Sequence, residues 1–203
     1  MVREANEPEV VRKLVLLGAR DSGKSSVALR FAEKRFGGTY DPTIETSLRA
    51  QICFSGITFT CELLDTAGQD EYSSFSRQSL LGVHGFCLFF SITSLQSFMA
   101  LQKIHDRLSE LVGFFSVPMV LVGAKCDDET RRQVSKAQGE ALAEAWGCSY
   151  VECSAKSNYG IDEIFVTLLV EIDKDSGLLE AQASPNTGVQ TKAVWCGWCK
   201  TTE

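Results

Sequence analysis

An α/β fold built on a mostly parallel sheet is what this sequence predicts, and three observations carry it. Strand-like apolar runs alternate with helix-like stretches along most of the chain. Two of the runs, 85–90 and 118–122, are apolar without a break, as strands covered on both faces are. Ser55-Gly56 separates two further runs, and a turn that short makes the pair antiparallel.

The first strand, 12–17, carries Leu14-Val15-Leu16-Leu17 and runs into a glycine-rich loop, from which a helical pattern leaves over 25–34. Strands over 48–54 and 58–64 form the hairpin, and 85–91 is the fourth strand. A helix over 94–112 leads to a fifth strand at 118–122. A helix over 135–146, a sixth strand at 149–152 and a last helix over 161–173 complete the pattern. No internal repeat is present. Near residue 176 the periodicity is lost, and Ser184-Pro185-Asn186-Thr187-Gly188 has linker composition. The expected organisation is one domain over 10–175, a short polar extension over 1–9 and a flexible tail over 176–203.

Size and composition set bounds on function. A chain of 203 residues holds one domain with a sizeable core plus an appendage. A net charge of −6 argues against nucleic acid as a partner, since duplex binders present a basic face. The polar, acidic start does not read as a secretory signal, and no apolar run reaches the ~18 residues of a membrane span. Eight cysteines in that context read as reduced thiols in a cytoplasmic protein, not a disulfide framework. Cys53, Cys61, Cys87 and Cys148 lie in or beside apolar runs and are expected as small core residues. His84, His105 and the phenylalanines Phe89, Phe90, Phe98, Phe114 and Phe115 are expected to be structural. The charges of 127–132 are expected in solvent, apart from Asp127.

Gly18-Ala19-Arg20-Asp21-Ser22-Gly23-Lys24-Ser25 fits G-x-x-x-x-G-K-[ST] between a strand and a helix, the context that gives the pattern meaning. Its glycines let backbone N–H groups turn around phosphate oxygens, and the helix N-terminus adds partial positive charge. Arg20, Asp21, Ser22, Gly23, Lys24, Ser25 and Ser26 are therefore candidate phosphate contacts. Lys24 would reach the outer phosphates and Ser25 would ligate Mg²⁺. Asp65-Thr66-Ala67-Gly68-Gln69 follows the third strand on the same rim. Asp65 suits Mg²⁺, directly or through water. The Gly68 N–H would approach a terminal phosphate, and Gln69 would orient an attacking water. Thr43, in Tyr40-Asp41-Pro42-Thr43-Ile44-Glu45, would add a metal-side hydroxyl that senses the last phosphate.

Two more rim loops address the base. Ala124-Lys125-Cys126-Asp127 follows the fifth strand and Cys153-Ser154-Ala155-Lys156 the sixth. Guanine offers two donors on one edge, which a single carboxylate accepts together, so Asp127 is the natural guanine reader. Lys125 would lie along the base or brace the phosphate loop, and the Ala155 N–H would meet guanine O6.

With these motifs in order, the chain resembles Ras-type small GTPases over roughly 10–173. The resemblance implies a P-loop G domain with a six-stranded sheet, about five helices, Mg²⁺ dependence and GTP/GDP switching with GTP hydrolysis. It implies Gln69, Lys24 and Thr43 as catalytic, with Ser25, Thr43 and Asp65 on the metal. Phe36 matches the position whose ring packs edge-on to guanine, and Tyr40, Ser154 and Lys156 join the nucleotide contacts. Mobile segments would span about 36–47 and 66–76. Effector proteins would dock through 40–47 and 66–76, with an exchange factor and a GTPase-activating protein as further partners. The effector segment is similar to that of the Ras branch, and Arg20 with 65–73 is similar to Rheb-like proteins.

Three departures from that pattern stand out. Arg20 and Asp21 replace two glycines common in Ras proteins; Arg20 would crowd the terminal phosphate and slow hydrolysis. Ala124 replaces an asparagine that contacts the base and ties neighbouring loops. Losing such hydrogen bonds costs about 1–3 kcal/mol. Faster nucleotide release is expected, with affinity lower by about ten- to a hundredfold. The last four residues, Lys200-Thr201-Thr202-Glu203, contain no cysteine for prenylation. Cys196 and Cys199, flanked by Trp195 and Trp198, could be acylated or lie at a bilayer, so the cytoplasmic face of a membrane is the alternative location. Trp195-Cys196-Gly197-Trp198-Cys199-Lys200 resembles a thioredoxin active-site run but lacks the long helix such cysteines need. A P-loop kinase or ATPase would share 18–25 but would not need Asp127, Thr43 or Ser154-Ala155-Lys156. A G domain that binds nucleotide or partner with little turnover is the remaining alternative.

Overall fold

The computed structural model describes residues 10–36, 45–66, 80–112 and 117–174. The sheet has six strands in the order β2-β3-β1-β4-β5-β6, where β1 is Val10–Gly18, β2 Glu45–Phe54, β3 Ile57–Thr66, β4 Gly85–Ser91, β5 Met119–Ala124 and β6 Ser149–Cys153. β2 and β3 pair antiparallel and every other neighbour is parallel. The hairpin turn has φ 51° at Ser55 and 77° at Gly56, the left-handed pair that matches strand twist.

Four α-helices and one 3₁₀ turn stand among the described residues, where the resemblance implies about five helices. They are α1 Lys24–Glu33, α2 Leu95–Val112, α3 Lys136–Trp146 and α4 Ile161–Asp173, with the 3₁₀ turn at Glu129–Arg131. Ser135 is the N-cap of α3 and closes a capping box with Gln138. Alternate residues of β1 feed two cores. Leu14 and Leu16 join Phe31 of α1 and Phe165 of α4, while Val15 and Leu17 join Leu101 of α2 and Ala143 of α3. Helices therefore cover both faces of the sheet, which is why β1 and β4 are apolar throughout their central stretches.

β1, β2, β3 and β6 run past the limits expected from apolar runs, and β5 runs past its expected end. β2 starts at Glu45 because its polar beginning pairs with Thr66, Asp65 and Leu64. β5 reaches Ala124 because that residue pairs with both Ser91 and Cys153. One core assignment is corrected: Cys61 and Cys87 are buried, but Cys53 is exposed and Cys148 half-buried. β2 is an edge strand whose odd-numbered positions from Ser47 to Cys53 face outward, so Cys53 falls on the exposed face and not in the core. His84 is structural, its Nδ1 accepting from the Lys13 N–H at 2.9 Å. The His105 ring stacks on Trp146 with centroids 4.2 Å apart. Phe89 and Phe90 are fully buried and Phe98 packs against the second core. Phe114, Phe115, residues 1–9 and the tail 176–203 lie outside the described residues. No described helix is long and apolar enough to cross a membrane.

Candidate functional site: the carboxyl rim of the sheet

Strand order reverses around β1: the chain moves to β2 and β3 on one side, then returns to β4 on the other. The rim at the carboxyl end of β1 is therefore the crevice where parallel sheets bind ligands. Gly18 is obligatory there. Its φ is 148°, and a Cβ would stand 2.2 Å from the Phe89 carbonyl oxygen, so only glycine lets β1 leave the sheet beside β4. Gly23, at φ 100°, caps α1 with no side chain bonded to the helix end, which leaves the N-terminal amides of α1 to an anion.

Lys24 is buried, and its Nζ donates to the carbonyls of Gly18 and, at 3.0 Å, Ala19. The ammonium is thus held against the loop it serves. Ser22 is fully buried with a hydroxyl that has no protein partner, an orphan suited to a phosphate oxygen. Arg20 is exposed on the loop; Asp21 is exposed at φ 61°, and its carboxylate lies 3.1 Å from Lys125 Nζ.

Asp65 pairs with Leu16 in the sheet, and the next side chain, Thr66, donates to the Leu16 carbonyl at 2.8 Å. These contacts set Asp65 beside the loop. Burial pushes its carboxyl up from the usual range, opposed by a hydrogen bond with Ser25 and by the Lys24 charge. One carboxylate oxygen has no protein partner. A buried carboxylate oxygen and a serine hydroxyl are hard donors, so the pair fits Mg²⁺. No cluster of three or more His, Cys, Asp or Glu side chains occurs among the described residues.

The base end is built from the loops after β5 and β6. Ser154 Oγ donates to Asp127 Oδ1 at 2.6 Å, and Lys156 Nζ lies 3.9 Å from Oδ2. Ser154 also accepts from the Ser157 N–H at 3.1 Å, so a buried hydroxyl fixes both the loop and the carboxylate. A cavity of about 400 Å³ joins this end to the phosphate loop; Gly23, Ser26, Phe36, Lys125, Asp127, Ala155 and Lys156 are among its lining residues. Ala124 also lines it, 2% exposed, so close to Gly23 that a Cβ there would come within 3.1 Å.

The structure brings Lys24, Ser25 and Asp65 together, and likewise Asp127, Ser154 and Lys156. Tyr40, Thr43, Gly68 and Gln69 lie outside the described residues. Three features were not foreseen. Arg131 is exposed, as expected, but it pairs with Asp128, and both stand on the cavity wall. Arg132, also expected in solvent, is half-buried and grips Glu152 through two nitrogens at 2.8 and 2.9 Å. Arg30, on α1, was not singled out at all. A run of charges gives no sign of which member folds inward; that depends on the partner strand.

A phosphate loop, a buried magnesium-type carboxylate and a carboxylate-bearing base cavity on one rim define a guanine-nucleotide-binding domain of the small GTPase class. Residues 13–174 match the model of the Ras family, and the chain belongs to that family. It is a small GTP-binding protein with GTP-hydrolase activity. Among its relatives, the GTP-binding protein Rheb of Homo sapiens is 40% identical over 166 residues, covering 82% of this chain and 90% of that protein. The Rheb homolog of Drosophila melanogaster is 40% identical over 170 residues, covering 84% and 93%. The Rheb homolog of Dictyostelium discoideum is 38% identical over 169 residues, covering 83% and 91%. Rheb-like features in the phosphate loop and after β3 agree with these matches.

Proposed function

We propose that the chain is a Mg²⁺-dependent switch that hydrolyses GTP slowly and releases nucleotide quickly. The observation that carries this reading is the Asp127–Ser154 pair opening into the cavity that also meets the phosphate loop. Asp127, already oriented by Ser154, accepts the two guanine donors, and the Ala155 N–H meets O6. Lys24 and the amides at the start of α1 hold the phosphates. Ser25 and Asp65 hold Mg²⁺, which screens phosphate charge, and Thr43 completes its protein side. Gln69 orients the attacking water. Effector proteins read the arrangement of 40–47 and 66–76, while an exchange factor and an activator act on the same rim.

Arg20 makes the reaction slow, because its side chain belongs to the loop that surrounds the terminal phosphate. Two measurements test the proposal. GTP, but not ATP, should displace bound GDP from the wild type. Single-turnover hydrolysis should be faster in Arg20→Gly by about tenfold, the equivalent of ~1.4 kcal/mol at the barrier. Displacement by ATP would refute the base reading, and equal rates would refute the role of Arg20.

A further inference from the structure

Three side-chain nitrogens of Arg30 each donate to a different carbonyl. Nε donates to Ala155 at 2.8 Å, one terminal nitrogen to Lys156 at 3.4 Å, and the other to Lys34 at 3.2 Å. Its guanidinium carbon also lies 5.6 Å from the centroid of the Phe36 ring. Ala155, Lys156 and Phe36 all line the base cavity, whereas Arg30 is not among its walls. One side chain behind the pocket thus joins the end of α1, the aromatic wall and the loop after β6.

We infer that Arg30 is a positioning residue for guanine recognition, a role that rests on the reading of Ala155 N–H as the donor to O6. The chemistry needs arginine. A planar fork can direct donors to separate carbonyls while its face attracts an aromatic ring; an ammonium is a single point charge. By holding the carbonyls of Ala155 and Lys156 toward α1, Arg30 turns that stretch so that its other edge faces the cavity. It thereby ties α1 to the loop after β6 through hydrogen bonds, whereas the side chain of Ala124 at the end of β5, an alkyl group, offers none. The 3.2 Å bond to Lys34 fixes where the chain leaves α1 and hence where Phe36 begins.

The test pairs a substitution with a change of one ligand atom. GDP and 6-thioguanosine diphosphate differ only in the acceptor at position six, and sulfur accepts more weakly. Dissociation of each is measured from wild type, Arg30→Ala and Arg30→Lys, with Mg²⁺ present. Arg30→Ala should release GDP about tenfold faster. The wild type should hold GDP about fivefold better than the thio analogue, and this preference should shrink toward unity in Arg30→Ala. Arg30→Lys, which keeps charge and stem, should lie between them and covers the case in which the alanine variant folds poorly. A merely structural loss would weaken both ligands equally and leave the preference intact, which overturns the inference. A wild type without the preference would overturn the O6 reading and the inference together.

Discussion

At the residue scale, Ala124 stands where the resemblance to Ras-type small GTPases leads one to expect an asparagine. It sits at the end of β5, paired to Ser91 and Cys153, with its methyl group so near the phosphate loop that a Cβ at Gly23 would come within 3.1 Å of it. Ala124→Asn restores an amide facing the cavity and the loop. GDP release followed by a fluorescent nucleotide should slow by about tenfold or more, as one or two buried hydrogen bonds are regained. The Asp21–Lys125 pair does not replace the lost tie. Asp21 is 87% exposed, so solvent screens the interaction and its worth is small.

At the scale of elements, the grip of Arg132 on Glu152 joins the 3₁₀ turn after Asp127 to the strand before Ser154. Burial alone would push the Glu152 carboxyl up; hydrogen bonds from Arg132 and Tyr150 outweigh it and hold the group below the usual range. Because the folded value is depressed, the unfolded chain binds more protons at acid pH. The contribution is complete above pH 4.5, the ordinary glutamate value, and drains away as pH falls below it. Thermal melts of Glu152→Gln should show a shallower loss of stability below that pH than wild type. Arg132→Met at neutral pH should cost about 2–3 kcal/mol by leaving Glu152 without its guanidinium partner, and more than the double variant costs. The six strands and their order of use were legible because apolar runs and rim motifs are local signals. The first residues of β2 were not, since Glu45, Thr46 and Ser47 become strand only through pairing with β3. Arg30 was illegible for a related reason: its key carbonyl lies 125 residues downstream, and nothing near Arg30 announces it.

At the scale of the molecule, the two ends of the sheet divide stability from function. Nucleotide groups gather on the carboxyl rim, while Arg12 and Asp173 pair at 2.6 Å near the start of β1 and the end of α4. The aspartate side chain is fully buried and the arginine nearly so. Removing only the cation takes the guanidinium from a buried carboxylate, so Arg12→Met should cost about 3–5 kcal/mol. Chemical denaturation should register that loss, and GDP affinity of the folded fraction should stay unchanged. A different kind of dependence runs through Tyr150. A Cβ at Gly123 would come 2.5 Å from its hydroxyl oxygen, and one at Gly139 would come 2.4 Å from its ring. Alanine at 123 meets less obstruction once the phenol has become phenylalanine, with Ile92 and Phe90 still 3.3 Å from its Cβ, and alanine at 139 requires the ring to shift or go. Three positions scattered over β5, α3 and β6 are thereby bound to one evolutionary history, with the order of replacements imposed by a single aromatic side chain.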